Sequence, residues 1–286
     1  MKNLIVRTVS GLVFLTVMLA ALLSGDWFEG GKYIFAAVML FALVMMMLEF
    51  FEMTMGDVYK GSRSLAVTGA CLMFAVTFMV QSTEAVTGRF IALSFIPLFA
   101  VMINSLYVKD KKDFGMFANI YTGLLYIAVP WTLLNFVAFD SEHNFNGLML
   151  LCMFIIIWVS DVGAYVFGST LGQKFGPKLF PSVSPHKSWV GCIGGFACAL
   201  AAAYGMHCIG WLPFSDLEWY HCLAVGAVTN VAGVYGDLIE SQWKRHCGVK
   251  DSGKVIPGHG GMLDRFDSAL VAVPAATVYL MCFDKL

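Results

Sequence analysis

Gly147-Leu-Met-Leu-Leu-Cys-Met-Phe-Ile-Ile-Ile-Trp158-Val-Ser160-Asp161-Val-Gly163-Ala-Tyr-Val-Phe-Gly168 decides the class of this chain. Its apolar residues cover every side of a helix instead of one stripe, and at 1.5 Å per residue the run reaches about 33 Å, enough for the hydrocarbon core of a bilayer. A soluble helix would interrupt such a run with polar residues every turn. One carboxylate, Asp161, sits inside it. At that depth an ionised acid costs at least about 3 kcal/mol unless it meets a polar cavity or a cation, so Asp161 is a functional candidate by position, with a purely structural Lys or Arg partner as the plainer alternative.

Working outward, eight more apolar runs occupy 5–24, 32–52, 65–81, 90–107, 117–137, 190–212, 221–241 and 268–283. Hydrophobic residues make up 59% of the chain and charged ones 13%, with a mean hydropathy of +0.75. The expectation is an all-α polytopic bundle of about nine transmembrane helices. Residues 1–146 would supply five scaffold, lipid-facing or dimerisation spans, and 147–286 a catalytic region with two long loops, 169–189 and 242–267. Lys2 precedes the first run and Arg7 interrupts it with no small-residue cleavage site, which reads as a retained helix. Alternating the loops of nine spans places fifteen of the eighteen Lys and Arg on one face, the cytoplasmic one by the positive-inside rule. Seven of the eight cysteines lie in or beside apolar runs and no CxxC pair occurs, so they read as small buried hydrophobes.

The polar residues concentrate where those loops meet the helices. Ser241 to Ser268 holds Lys244, Arg245, Lys250, Lys254 and Arg265 together with Asp251, Asp264 and Asp267, His246 and His259, and five glycines. Just before it, Asp237 and Glu240 are spaced i, i+3 and share a helix face, as do Asp264 and Asp267. Carboxylates gathered at one depth need a cation, and hard oxygen donors suit Mg²⁺ better than zinc. Glycines at 253, 258, 260 and 261 let backbone N–H groups approach a phosphate that Lys or Arg neutralises. The loop 169–189 adds Lys174, Lys178, Ser184, His186 and Lys187 before Gly191, Gly194 and Gly195, a pattern that fits an anion at a helix N-terminus or contact with anionic lipid. His259 and His246 have no second His at ligand spacing, and neither is assigned a metal. Glu49 and Glu52 read equally as interfacial acids or as part of a site. Carboxylate-bound Mg²⁺ beside a basic glycine-rich loop is equipment for phosphoryl or nucleotidyl transfer.

Ser241, Lys244-Arg245, Lys250-Asp251, Pro257-Gly258-His259-Gly260-Gly261, Asp264-Arg265 and Asp267, preceded by Gly236-Asp237-Leu238, together resemble the signature of the phosphatidate cytidylyltransferases, or CDP-diacylglycerol synthases, of bacterial membranes. Ser184-Pro185 and Lys187-Ser188-Trp189, and Asp161 with Gly163, are similar to further motifs of that family, and the resemblance covers residues 150–286. Trp243 and Val190 depart from the family pattern without removing a ligand. The resemblance implies transfer of CMP from CTP to phosphatidate in the bacterial cytoplasmic membrane. It implies Mg²⁺, with a second cation left open, on Asp161, Asp237 and Asp264, and catalytic roles for Asp237, Asp264, Lys244 and Arg265. Ser184, Lys187, Ser241, Arg245, Lys250, Asp251, His259, Gly260, Gly261 and Asp267 would bind substrate. CTP and membrane lipid are the implied partners; no nucleic-acid partner is expected, and a homodimer is left open. A CTP-dependent transferase or kinase acting on another lipid, such as a polyprenol, stays open beside this reading. So does an ion-coupled transporter, disfavoured because the charges cluster at one face and no inverted repeat is evident.

Overall fold

In a computed structural model, residues 2–28, 30–108, 114–172 and 177–286 are described; Lys109, Lys111, Lys112 and Lys174, four of the cations counted above, lie outside them. Among the described residues, nine helices are long and apolar enough to cross a membrane. They are α1 (Lys2–Leu23), α2 (Gly31–Met55), α3 (Lys60–Ser82), α4 (Gly88–Leu106), α5 (Phe114–Ala138), α6 (Gly147–Gly172), α7 (Trp189–His207), α8 (Trp219–His246) and α9 (Leu263–Cys282). This is an all-α, multi-pass membrane protein. Helices satisfy every backbone group internally, which the hydrocarbon region demands.

Several boundaries differ from the sequence expectation: α9 begins at Leu263, five residues early, and α6 runs on to Gly172. Helix α8 runs five residues past 241, so Lys244 and Arg245 are helical; Lys244, Arg245 and His246 fill its last turn, where cations favour the negative end of the helix dipole. Helix α7 stops at His207 instead of 212, and a 3₁₀ turn follows at Pro213–Asp216. The loop before α7 holds a short antiparallel hairpin of β1 (Lys178–Phe180) and β2 (Ser184–Ser188). Inside α4 and α5 the winding changes near prolines: 3₁₀ geometry over Gly88–Phe95 precedes Pro97, and a π turn at Leu124–Ala128 precedes Pro130. Proline has no N–H to donate, so irregular turns collect there.

The chain forms two compact units. The first comprises residues 1–147 with Cys247–Phe266. Its core is aromatic: Trp131 is fully buried, donates Nε1–H to the Met39 carbonyl at 2.8 Å, and meets the Phe266 ring at a centroid distance of 4.8 Å. Phe14 of α1 packs on the same Phe266 ring.

The second unit comprises residues 148–246 and Asp267–Leu286, and it is held by small residues. A Cβ on Gly226 would meet Ala203 and Ala199, and one on Gly236 would meet the backbone of Asp267 and Ser268. Such close backbone approach is how helices associate where lipid offers no hydrophobic drive. The buried Asn230 amide donates to Ser160 Oγ between α8 and α6.

Candidate active site

In the second unit, α6, α8 and β2 deliver Asp161, Asp237 and Lys187 to the wall of one cleft of about 520 Å³, which Ser169 and His186 also line. The Lys187 ammonium forms an ion pair with Asp237 Oδ2, and Ser241 Oγ, one turn along α8, donates to Asp237 Oδ1 at 3.2 Å. Both partners of the ion pair are about 30% exposed, so solvent and solutes reach them. Asp267 stands within electrostatic reach of Asp237, Asp161 and Lys244. A cation therefore already faces one carboxylate of the cleft. Among the described residues no group of three His, Cys, Asp or Glu is arranged to hold a metal ion. Mg²⁺ seldom uses such a cage, being held by one or two carboxylates with substrate phosphates and water, and Asp161 and Asp237 offer that donor set.

The first unit builds the glycine-rich loop around a different acid. Glu49 lies near the end of α2, buried, and accepts N–H bonds from Met262 at 2.9 Å and Leu263 at 2.8 Å. These are N–H groups at the start of α9, which no earlier turn of the helix can satisfy. Ser252 Oγ lies 2.9 Å from Asp264 Oδ2 and 3.4 Å from Glu49 Oε2, so one hydroxyl bridges the two carboxylates. Asp264 Oδ2 also accepts from the N–H groups of Ser252 at 2.9 Å and Gly261 at 2.7 Å. Between them the chain turns tightly: Ile256 N–H donates to the Gly260 carbonyl, with Gly258 at φ +77° and Gly260 at φ +88°. A side chain at 258 would strike Arg7, and one at 260 would come within 2.7 Å of Asp264 Oδ2. Arg7 Nε donates to the Gly258 carbonyl at 2.9 Å. Ser10 Oγ donates to the Pro257 carbonyl at 2.8 Å and lies 2.9 Å from His259 Nδ1. Partial desolvation, and after it the Arg265 and Arg7 guanidinium groups, hold the His259 imidazole below the usual histidine range.

A family model described as the cytidylyltransferase family matches residues 5–283. The chain belongs to the cytidylyltransferase family. Its curated relatives include a phosphatidate cytidylyltransferase of Staphylococcus haemolyticus, 30% identical over 280 residues, and one of Staphylococcus aureus, 32% identical over 286 residues; each alignment covers 96% of this chain and 98% of the relative. A Staphylococcus epidermidis protein of the same name is 30% identical over 287 residues.

The residues of this cytidylyltransferase that the sequence singled out fall into two sets. Asp161, Asp237, Lys187 and Ser241 come together in the second unit. Ser184 opens β2, and Arg245 Nε reaches the Val183 carbonyl at 3.4 Å, which ties the hairpin to α8. Asp237 and Glu240, expected as a pair, diverge: Glu240 is fully buried and salt-bridged to Lys244 one turn on. The start of α7, where the sequence fits either an anion or contact with anionic lipid, is capped by its own Ser188, whose Oγ accepts the Gly191 N–H at 3.2 Å. In the first unit, Asp264, Gly260, Gly261 and His259 belong to the tied loop, with Lys250, Asp251 and Arg265 exposed.

Sequence reasoning missed Glu49, Ser252, Arg7 and Ser10 as organisers of that loop. For Glu49 a signal existed: an acid among Leu48, Phe50 and Phe51 is as anomalous as Asp161. Its neighbour Glu52 does behave as an interfacial acid, largely exposed and paired with Arg63 at 3.3 Å.

Proposed function

We propose that the protein transfers CMP from CTP to phosphatidate, yielding CDP-diacylglycerol and pyrophosphate. The observation that carries this reading is the cleft in which Asp161 and Asp237 face Lys187, found in a chain aligned over nearly its whole length with phosphatidate cytidylyltransferases. A phosphate oxygen of phosphatidate attacks the α-phosphorus of CTP, and the bond to the β-phosphate oxygen breaks. That nucleophile is already an anion at neutral pH, so neither a general base nor a covalent enzyme intermediate is needed.

The chain's own groups bring two anions together. Lys187 exchanges its pairing with Asp237 for substrate phosphate, which frees the Asp237 carboxylate for a cation. Asp161 and Asp237 would hold Mg²⁺, which when bound would offset charge on the triphosphate and on departing pyrophosphate. Asp264 enters by its place in the matched motif as a further metal ligand. Lys244, Arg245, Lys250 and Arg265 enter in the same way as phosphate cations, and Ser184, Ser241, Asp251, His259, Gly260, Gly261 and Asp267 as substrate contacts. The cation count supports a cytoplasmic position for these groups, the side on which CTP is available, in a bacterial inner membrane.

The test is purified protein in detergent with radiolabelled CTP, phosphatidate and Mg²⁺, with polyprenol and diacylglycerol as alternative acceptors. Liponucleotide and pyrophosphate in equal amounts are expected, and EDTA should abolish both. A folded protein that leaves phosphatidate untouched, or that modifies only a lipid alcohol, overturns the assignment.

A further inference from the structure

Helix α1 is fastened at its two ends and stands off in the middle. At one end Arg7 and Ser10 bond the 257–259 turn, and at the other Met18, Ala21 and Leu22 are buried, with Gly147 packed against the Leu22 carbonyl. Between these anchors α1 and α2 present Val13, Val17, Val38 and Ala42, side chains too short to close the gap. They leave a cavity of about 380 Å³, with Phe14 and Phe266 as its floor. Val13, Val17 and Phe41 on its rim are 56%, 43% and 56% exposed, so it opens sideways on the lipid-facing surface.

Polarity is confined to one end. Ser10, Pro257 and Ile256 close the slot there, with His259 and the Arg7 guanidinium beside them, and every other lining group is apolar. Arg7, Ser10, Phe14 and Val17 follow the i, i+3, i+4 spacing of one helix face, so the cation and the hydrocarbon wall are consecutive turns of the same surface. From Ser10 to Met18 that wall runs about 12 Å. A cationic rim at the membrane interface followed by an apolar slot open to the bilayer complements an anionic headgroup joined to an acyl chain.

We propose that the slot between α1 and α2 holds one acyl chain of phosphatidate, with the lipid phosphate at the Arg7 and His259 end. This deepens the function proposed above and rests on it. Bulk phospholipid lacks a phosphomonoester dianion to match the rim.

The test uses full-length protein in nanodiscs and phosphatidate carrying a diazirine on one acyl chain. Adducts should concentrate on residues 13–18 and 38–42, and unlabelled phosphatidate should lower them at least about fivefold while phosphatidylcholine does not. Equal labelling of the exposed faces of α3 and α4, or equal labelling by a phosphatidylcholine probe, overturns the proposal. Narrowing the slot with Val17→Phe plus Val38→Phe should remove the adducts. It should also raise the KM for dipalmitoyl over dioctanoyl phosphatidate about tenfold, equivalent to about 1.4 kcal/mol, because the two rings occupy the space of the longer chain. An unchanged chain-length ratio in a folded variant counts against the slot. Turnover with labelling elsewhere defeats the slot alone; slot labelling without liponucleotide defeats the cytidylyltransferase reading alone.

Discussion

Asp237 of α8 meets a lysine ammonium and a serine hydroxyl on the wall of an open cleft, whereas Glu49 of α2 meets two backbone N–H groups and a serine hydroxyl in a closed interior. Both are acids in apolar helices, and the cost of placing them there is offset in opposite ways. Backbone donors cannot leave without unravelling the start of α9, so Glu49 is committed to structure. A partly exposed lysine can swing away, so Asp237 can trade one cation for another. On the proposed function, the identity of the donor separates a scaffold acid from a working one better than depth does.

Asp237→Asn should have the largest effect, lowering kcat at least about a thousandfold through lost transition-state charge stabilisation while Tm holds steady. Initial rates and thermal unfolding in detergent check this; a variant that melts early but turns over normally would reverse the comparison. Lys187→Met should raise the KM for CTP or lower kcat by about a hundredfold, equivalent to about 2.8 kcal/mol. If the variant gained activity at low Mg²⁺, the lysine would be a competitor of the metal and nothing more.

Glu49→Ala should act on stability first, costing about 3 kcal/mol because three groups lose a charged acceptor in a buried place. Proteolysis within 252–262 should accelerate together with the loss of activity, and Glu49→Gln should recover part of both. Stable protein with selectively lost turnover would move Glu49 to the working side. The smallest effect is on pH dependence. Since the folded state holds the His259 imidazole below its ordinary value, the unfolded loop binds the proton more readily. Stability of the 257–261 turn is then full above about pH 6.5 and declines as pH falls toward the lowered value. The protection factor of that turn against hydrogen exchange, taken relative to the intrinsic rate at each pH, should fall on acidification in the parent and stay flat in His259→Asn.

The nine spans among the described residues were legible because lipid imposes one rule on every span, and Asp161 and Asp237 stood out because an acid in such a span is conspicuous. Lys244 and Arg245 read as loop since charge after an apolar run usually marks a boundary, yet cations suit the end of a helix equally well. The hairpin at 178–188 has strands of three and five residues, too short to show alternation. Glu49 was ambiguous for a deeper reason: its donors lie more than two hundred residues away, and nothing local announces them.

That separation has a consequence for biogenesis. Arg7 waits for Gly258, 251 residues later, and Glu49 for Leu263, 214 residues later. At about 5 to 20 residues per second of synthesis, α1 spends on the order of ten to fifty seconds in the membrane before its partner turn exists. Over that interval the first helix is a loosely held guest. Chains released early, lacking residues beyond about 246, should leave α1 and the Glu49 carboxylate without their final contacts, a pattern by which membrane quality control could tell an unfinished copy from a complete one.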